Sequence, residues 1–190
     1  MSTFDFGFGP VPAHQHTNGG GWVADTARVD DSAYVGPDAQ VSDNARVSGD
    51  AWVSGNAQVS GNAQVSDNAQ VSGNARVSDN ARVSGDARVS DNARVSGDAR
   101  VSDNAWVSGD ARVSGDAKLA KSSDYLLIGP IGSRAAFMTW TRSDNCIATG
   151  CFRGTVKEFL AAVRETHGDN EHAKAYRAAV KFIRAMEKLA

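Results

Sequence analysis

Hydrophobic residues recur at every sixth position over more than half of this chain. Valine occupies position 23 and every sixth position up to 113, Leu119 closes the series, and alanine stands two residues before each of these from Ala27 to Ala117. A six-residue step turns an α-helix by about 600°, which would scatter the valines around its axis. In a β-strand the alanine and the valine share one face, and the residue between them points the other way. The pattern therefore predicts one short strand in every hexad.

The three residues between successive strands are typical of a corner. They read Ser, then Gly or Asp, then Asn or Asp in almost every hexad. Gly, Asp and Asn tolerate the positive φ that a tight corner needs. Seventeen hexads follow one another without an insertion. We therefore predict an N-terminal arm or cap over residues 1–20, a repeat over 21–121 and a small C-terminal domain over 122–190.

The hexads V-S-G-N-A-Q and V-S-D-N-A-R resemble the pattern of the hexapeptide-repeat family. That resemblance implies a left-handed parallel β-helix, a triangular solenoid with three hexads in each coil. Seventeen hexads would then give 17/3, or about 5.7, coils, and a rod about 27 Å long at about 4.8 Å per strand spacing. The expected fold class is mainly β: this solenoid, followed by a small α+β C-terminal domain with two helices.

The residue between alanine and valine points outward, so every eighteenth residue belongs to one face of the rod. Two faces carry mainly Arg and Gln, and the third shows Tyr34, Trp52, Gln70, Arg88 and Trp106. Corner carboxylates are expected to offset the repulsion between stacked Arg side chains, which favours a neutralised, solvated surface. Because aromatic and Arg side chains are enriched at interface hot spots, the third face is the alternative, a recognition surface. It is also a candidate seam of the homotrimer that the family resemblance implies.

The C-terminal region has longer, non-repeating patterns. YLLIGPIGSR, AAFMTWT and NCIATGCF read as three short strand-like pieces with Gly and Pro breaks. Thr155 and Glu158 form a capping box, and Gly168 is a candidate helix stop. A second helix is expected from Asp169 or Asn170 to Leu189. Its inward-facing residues are predicted to be Tyr176, Val180, Ile183 and Met186.

A small anion is a possible ligand of this region. His167 and His172 flank Gly-Asp-Asn-Glu beside the start of the second helix, and helix N-termini favour anions. The candidate residues for a phosphate or nucleotide pocket are Arg134, Arg153, His167, Asp169 and His172. The alternative is that they are ordinary cap and loop residues.

Metal binding is not expected. Cys146 and Cys151 are spaced C-x4-C without a second cysteine pair, so two buried thiols in a β-hairpin are favoured over a zinc site. His14 and His16 are favoured as part of a disordered or capping arm rather than as metal ligands. No cofactor is predicted, and no Ser-His-Asp or Cys-His arrangement can be recognised from spacing.

The overall charge is close to balanced, with 20 Lys and Arg against 22 Asp and Glu. Residues 21–120 hold 14 acidic and 9 basic residues, and residues 121–190 hold 7 acidic and 11 basic, so the regions carry −5 and +4. The net charge of the whole chain favours neither nucleic acid nor membrane as a partner. No apolar stretch is long enough to span a bilayer, and the first residues do not read as a signal peptide. A cytoplasmic location is expected.

The tail segments IGPIGSR, GCFRGT and THGDNEHAKAYRAAV, with the entry GGGWVADTA, are similar to uncharacterised hexapeptide-repeat proteins of bacteriophages and prophages. This resemblance implies a phage setting and the host cytoplasm. We predict a non-enzymatic rod whose C-terminal domain binds a virion or host protein, for example as an anti-CRISPR-type inhibitor of host defence. One alternative is a protein that binds or sequesters a nucleotide or another small anion. The other is a family acyltransferase, although the repeat lacks the histidine that the family uses.

Overall fold

The structure, a computed structural model, describes residues 2–188. Two strands lie in the N-terminal arm, β1 (Thr3–Asp5) and β2 (Pro10–Gln15). Seventeen strands follow, one for each hexad. In chain order β3–β19 are Trp22–Ala24, Arg28–Val29, Tyr34–Val35, Gln40–Val41, Arg46–Val47, Trp52–Val53, Gln58–Val59, Gln64–Val65, Gln70–Val71, Arg76–Val77, Arg82–Val83, Arg88–Val89, Arg94–Val95, Arg100–Val101, Trp106–Val107, Arg112–Val113 and Lys118–Leu119.

These strands form three parallel stacks in which each strand pairs with the strand eighteen residues later, as Trp22 pairs with Gln40. The first stack is β3-β6-β9-β12-β15-β18, the second is β4-β7-β10-β13-β16-β19, and the third is β5-β8-β11-β14-β17. The predicted solenoid with three hexads per coil is therefore confirmed. Its left-handed winding stays a prediction.

Valine and alanine fill the interior of the solenoid. The repeat alanines from Ala33 to Ala117 are 0% exposed, and the valines from Val35 to Val113 are at most 1% exposed. Leu119 ends this core, and Tyr125 and Leu127 pack against it from beyond the repeat. Because each coil buries its side chains against its neighbours, stability accumulates coil by coil.

The tightest corner position, which follows the serine of each hexad from Ser42 to Ser114, is either Asp or Gly. Both adopt positive φ there, 61° at Asp67 and 67° at Gly85 one coil later. Oδ2 of Asp67 accepts the backbone N–H of Gly85 at 3.0 Å. The same bond joins Asp43 to Gly61, Asp79 to Gly97 and Asp91 to Gly109. The corner carboxylates thus hold successive coils together through the backbone.

The next corner position carries ladders of side-chain amides. Asn56 donates to Asn74, Asn74 donates to Asn92, and Asn92 donates to Asp110, at 3.1–3.2 Å. A carboxylate accepts but cannot donate at neutral pH, so Asp110 ends the ladder. These ladders tie coil to coil along the edges of the prism.

The N-terminal arm covers the first coil. Strand β2 pairs antiparallel with both β1 and β3, which extends the first stack. His16 is buried, and its Nε2 donates to the Ala33 carbonyl at 3.0 Å. The Asn18 amide donates to the same carbonyl at 3.1 Å. The arm therefore supplies donors to a carbonyl that would otherwise face outward from the first coil.

A second hydrophobic cluster lies beyond the repeat. A short 3-10 helix at Ser122–Asp124 leads into a four-stranded antiparallel sheet in the order β20-β21-β22-β23. Its strands are Tyr125–Ile131, Ala136–Thr141, Cys146–Thr149 and Phe152–Thr155, followed by helices α1 (Val156–His167) and α2 (Glu171–Glu187). We call residues 122–188 the C-terminal unit. The predicted sheet and two helices are confirmed, whereas NCIATGCF is two strands joined at Gly150, whose φ is 55°.

The two helices follow their predicted signals closely. Thr155 and Asn170 are the N-caps, and Gly168 is the C-cap of α1. The predicted inward residues Tyr176, Val180 and Ile183 of α2 are buried, and Met186 is half-buried. The predicted end at Leu189 lies outside the described residues.

Strand β21 is buried on both sides, which explains how the sheet is placed. Met138 and Trp140 are 0% exposed and belong to the cluster beneath the helices. Thr139 and Thr141 alternate with them, and Oγ1 of Thr139 accepts the backbone N–H of Arg112 at 2.8 Å. One face of the sheet therefore packs against the helices, and the other face packs against the end of the solenoid.

Side-chain oxygens of the C-terminal unit cap the last coil. In the solenoid, backbone N–H groups of one coil donate to carbonyls of the next, as Arg94 N–H does to Ala111, and the last coil has no successor. Five such groups are accepted instead, at 2.7–3.3 Å, by Ser122 (from Trp106), Tyr125 (from Ser108), Thr139 (from Arg112), Ser143 (from Lys118) and Asp124 (from Ala120). These bonds fix the unit to the end of the rod.

Candidate functional site

The third face brings together two of the predicted site residues. The rings of Tyr34 and Trp52 stack with centroids 3.8 Å apart and planes 16° apart. They belong to adjacent strands, β5 and β8, and 46% of Trp52 is exposed. An exposed, pre-stacked aromatic pair can bind an apolar or planar group, and it also stabilises the first coils.

Arg88 and Trp106 pair directly further along the same face. The Trp106 indole N–H donates to Ser90 Oγ at 3.1 Å, so the ring has a fixed position although 52% of the residue is exposed. A shallow groove of about 400 Å³ lies beside them, lined by Asn68, Gln70, Asp86, Arg88, Asn104, Trp106 and Ser122. Gln70 separates this pair from the Tyr34–Trp52 pair, so the four residues form two patches.

The arginine rows are not neutralised by ion pairs. Within residues 2–188 no Arg of the repeat makes a salt bridge to a carboxylate. Several of the corner carboxylates accept backbone N–H groups or side-chain amides, as Asp67 and Asp110 do. The expected offset of the Arg charge therefore acts only at longer range.

The C-terminal unit contains a cavity of about 300 Å³ between the sheet and the helices. It is lined by Ser133, Arg134, Ala136, Thr149, Gly150, Cys151, Phe152, Phe159, Ala162, Val163, Thr166, His167 and Tyr176. Its volume is at the lower limit for small-molecule sites. The structure thus brings together Arg134 and His167 of the predicted anion site, around an apolar floor with a few polar groups.

The remaining predicted anion residues have other surroundings. The rings of His167 and His172 lie 5.8 Å apart, and His167 is also 5.8 Å from Tyr176. Asp169 is exposed and forms an ion pair with Arg177 at 2.7 Å. The Asn170 side chain accepts the Ala173 N–H at 3.0 Å and so takes one of the free donors of the helix N-terminus. An anion bound at this helix start, where one was predicted, would face the Asp169 carboxylate. It would also find the Ala173 N–H already bonded.

Arg153, a predicted anion-site residue, lies where the C-terminal unit contacts the last coil of the solenoid. Its Nε donates to Ser114 Oγ and its Nη2 donates to the Ser114 carbonyl, both at 2.9 Å. Nη2 also forms a salt bridge with Asp144 at 3.1 Å. The side chain joins the sheet to the last coil, because it leaves β23 on the face of the sheet opposite to Phe152, which packs against the cluster beneath the helices. It therefore belongs to the interface and not to the cavity.

The capping box at the start of α1 is confirmed with both of its bonds. Glu158 N–H donates to Thr155 Oγ1, and a Glu158 carboxylate oxygen accepts the Thr155 N–H at 2.8 Å. The bonds from the Thr155 backbone and hydroxyl hold the pKa of Glu158 below its usual value. This carboxylate stays ionised and structural, which leaves it poorly suited to proton transfer.

The cysteines differ from the prediction of two buried thiols. Cys146 is half-buried and Cys151 is exposed, because Cys151 lies in the turn between β22 and β23. Burial, and to a smaller extent the nearby Asp144 carboxylate, raises the pKa of the Cys146 thiol. Its nucleophilic thiolate form is therefore disfavoured. Cys151 lines the cavity and is the accessible thiol of the two.

The two histidines of the arm point to different partners. Nδ1 of His14 contacts Oδ1 of Asp25 at 2.9 Å, whereas His16 is buried against Ala33. Within the described part of the chain, no group of three or more His, Cys, Asp or Glu residues is arranged to hold a metal ion.

Sequence reasoning did not identify the residues that cap the last coil. Ser122, Thr139 and Ser143 are hydroxyl residues in a region predicted only as strands and breaks. The alternation of threonine with Met138 and Trp140 in β21 was the available signal, since it marks two chemically different faces. The cavity residues Thr149, Thr166 and Cys151 come from separate elements and share no pattern.

A family model described as the YdcK beta solenoid repeat matches residues 39–55, 57–73, 69–85, 75–91, 81–97, 87–102 and 93–109. All these segments lie inside the three parallel stacks. Searches of the curated proteins and of the solved structures returned no match. The chain is thus similar to β-solenoid repeats, and the predicted repeat architecture is confirmed. Its resemblance to phage and prophage proteins stays a prediction.

The helices of the C-terminal unit are not membrane spans. Among residues 2–188, none is both long enough and apolar enough to cross a bilayer.

Proposed function

We propose that this β-solenoid repeat protein is a non-enzymatic scaffold, a rigid rod that presents its C-terminal unit to a macromolecular partner. The observation that carries the proposal is the cap on the last coil. Five backbone N–H groups of the rod donate to side chains of the unit, and Arg153 adds bonds to Ser114. A unit held in this way keeps one orientation relative to the rod.

The regularity of the repeat gives such a scaffold a defined length and angle. Each added coil lengthens the rod by about 4.8 Å. Each added hexad shifts the end of the rod from one stack to the next of three and so turns the unit by about a third of a revolution. The seventeen consecutive hexads are more than the few repeats that a solenoid needs for stability.

In a phage setting, which the tail resemblance implies, the partner would be a virion or host protein. Inhibition of a host defence system by contact is one form of this proposal. The exposed Trp52 and Trp106 of the third face are further candidate contacts, either to that partner or to other copies in a homotrimer.

Removing one coil should shorten the rod without loosening the unit. The change is deletion of residues 63–80, which is eighteen residues and joins Asn62 to Ala81 in the original register. Spin labels at Asp38→Cys and Ala161→Cys, with Cys146→Ser and Cys151→Ser, would report the distance by pulsed electron resonance. We expect a narrow distribution that moves inward by up to about 4.8 Å and keeps its width.

Two controls make this measurement specific. A label pair inside the unit, Ala161→Cys with Ala178→Cys, should give the same distance in both proteins. Deletion of a single hexad, residues 69–74, should turn the unit and change the rod-to-unit distance differently from the coil deletion. A broad distribution in the undeleted protein, or identical distances after both deletions, would contradict rigid presentation.

A small-ligand site is the second candidate function, and the cavity of the C-terminal unit is the observation that favours it. Arg134, His167 and Tyr176 line a space of about 300 Å³ with an apolar floor. This combination suits a small molecule that has an apolar body and one anionic group.

A ligand of this cavity should raise the melting temperature of the protein. We expect at least one member of a panel of nucleotides, phosphate and small carboxylates to raise it by several degrees, since binding to the folded state alone stabilises by about 2.7 kcal/mol at a hundredfold excess over Kd. Arg134→Gln should remove the shift, and Arg46→Gln, which removes the same charge from the rod, should keep it. No shift with any compound, or equal responses of the two variants, would exclude the site.

A further inference from the structure

A straight row of cations runs along helix α2 and ends at its C-cap residue, Lys188. Lys174, Arg177, Lys181, Arg184 and Lys188 follow one another at steps of three, four, three and four residues. At 100° per residue these five side chains fall within about 80° of one another around the helix axis. The row runs about 21 Å along the helix, with one cation about every 5 Å. We call these five residues the α2 basic stripe.

The charge of the stripe is largely uncompensated. Arg177 pairs with Asp169, and no other stripe residue forms a salt bridge within residues 2–188. The acidic residues of α2, Glu171 and Glu187, form no ion pair with it. All five stripe residues are exposed. The near-neutral total of the chain therefore conceals a concentrated positive surface at one end of the rod.

A groove between the two helices widens this surface. It has a volume of about 370 Å³ and is lined by Leu160, Arg164, Arg177, Val180, Lys181 and Arg184. Arg164 belongs to α1, so the groove adds a cation from a second helix. A chain of negative groups laid along α2 would therefore meet cations on two sides.

The position of Phe182 distinguishes between a lipid surface and a nucleic acid as the anionic partner. A membrane-binding helix carries large apolar residues on the face next to its cations. The apolar residues then enter the lipid while the cations contact the anionic headgroups. Phe182 is 52% exposed, but it lies about 80–160° around the helix from the five stripe residues. The stripe itself contains no aromatic side chain that would enter lipid or stack on a base.

We infer that the α2 basic stripe, with Arg164, binds the phosphate backbone of a double-stranded nucleic acid without reading its sequence. A duplex carries phosphates about every 3.4 Å along each strand, so about six phosphates per strand lie within the length of the stripe. The rod, which carries −5 over residues 21–120, would be repelled, leaving the C-terminal end as the point of contact. This inference goes beyond the proposed protein partner and adds a nucleic acid contact; it rests on the proposed function in that rigid presentation places this contact at the end of the rod.

The test is fluorescence anisotropy of the full-length protein with a labelled 20-base-pair duplex of random sequence. We expect binding at 50 mM salt that weakens roughly a hundredfold at 200 mM, as about four released counterions require. The variant Lys181→Gln with Arg184→Gln should bind at least about tenfold more weakly and show a salt slope smaller by about 2. The matched control is Arg82→Gln with Arg100→Gln, which removes the same charge from the second face and should stay within about twofold of the parent.

Several results would overturn the inference. One is no binding at low salt, and another is equal weakening by the stripe pair and the control pair. A third is tighter binding to phosphatidylserine vesicles than to the duplex, which would identify a lipid surface instead. Circular dichroism of both variants should be unchanged, because all four substituted residues are exposed. Failure here would leave the coil-deletion measurement untouched, since that experiment contains no nucleic acid.

Discussion

Replacing Trp140 with alanine is expected to unfold the C-terminal unit while the solenoid stays folded. Trp140 is 0% exposed at the centre of the cluster between the sheet and the helices. Its indole N–H donates to Asn145 Oδ1 at 2.9 Å, and the Arg142 guanidinium lies 5.5 Å above its ring. Truncation of a buried tryptophan costs about 3–5 kcal/mol, which is a large part of the stability of a small domain.

Circular dichroism separates the two parts of the molecule. The helical signal comes from α1 and α2, since the described solenoid consists of strands and corners. We expect the helical signal of Trp140→Ala to be lost at much lower urea concentration than in the parent protein, and the β signal to persist. The rod survives because its coils bury their own valine and alanine columns independently of this cluster.

Trp106→Ala is the matched control for this prediction. Trp106 is 52% exposed and makes one side-chain hydrogen bond, to Ser90. Its loss should change the urea midpoint of the helical signal very little. Simultaneous loss of helical and β signals in Trp140→Ala would show that the two parts unfold as one cooperative body.

The sequence was most informative where a local pattern decides the structure alone. Each hexad contains its own strand and corner, and the stacking partner of every residue is simply the residue eighteen positions later, as for Gln40 and Gln58. The helix signals were equally local, because Thr155 and Asn170 bond to residues three positions away. Neither prediction required knowledge of distant contacts.

Contacts between distant segments were the part that the sequence did not reveal. Thr139 accepts a bond from a residue 27 positions earlier, and Arg153 reaches Ser114, which lies 39 positions earlier. From the sequence alone, a threonine in an alternating strand could face solvent as well as another part of the chain. An arginine in a region with histidines could equally bind a ligand or join two parts of the protein. The α2 basic stripe could be read from its spacing, but its lack of carboxylate partners depends on how α1 and α2 pack.

Removal of the C-terminal unit is expected to expose the strand edges of the last coil, through which the rod then associates with other copies. Truncation after Lys121 takes away the oxygens of Ser122, Tyr125, Thr139 and Ser143 that accept N–H groups of the last coil. It also uncovers Leu119, which is 1% exposed in the whole protein. Unpaired strand edges are templates for pairing with other chains. We expect size-exclusion chromatography with light scattering to show a shift from monomer to dimer as the protein concentration rises.

The cap chemistry predicts how this association differs from ordinary aggregation. The N-terminal end of the truncated rod stays covered by the arm, through His16 and Asn18, so only one end is open and assemblies should stop at pairs of rods joined end to end.

The full-length variant Thr139→Val removes a single acceptor and should lower the free energy of unfolding by about 1–3 kcal/mol, without association. Trp140→Ala should associate only at urea concentrations that have already melted its helices. A truncated rod that stays monomeric at all concentrations would mean that its own side chains protect the edge, and that the C-terminal unit is attached for contact with a partner rather than for capping.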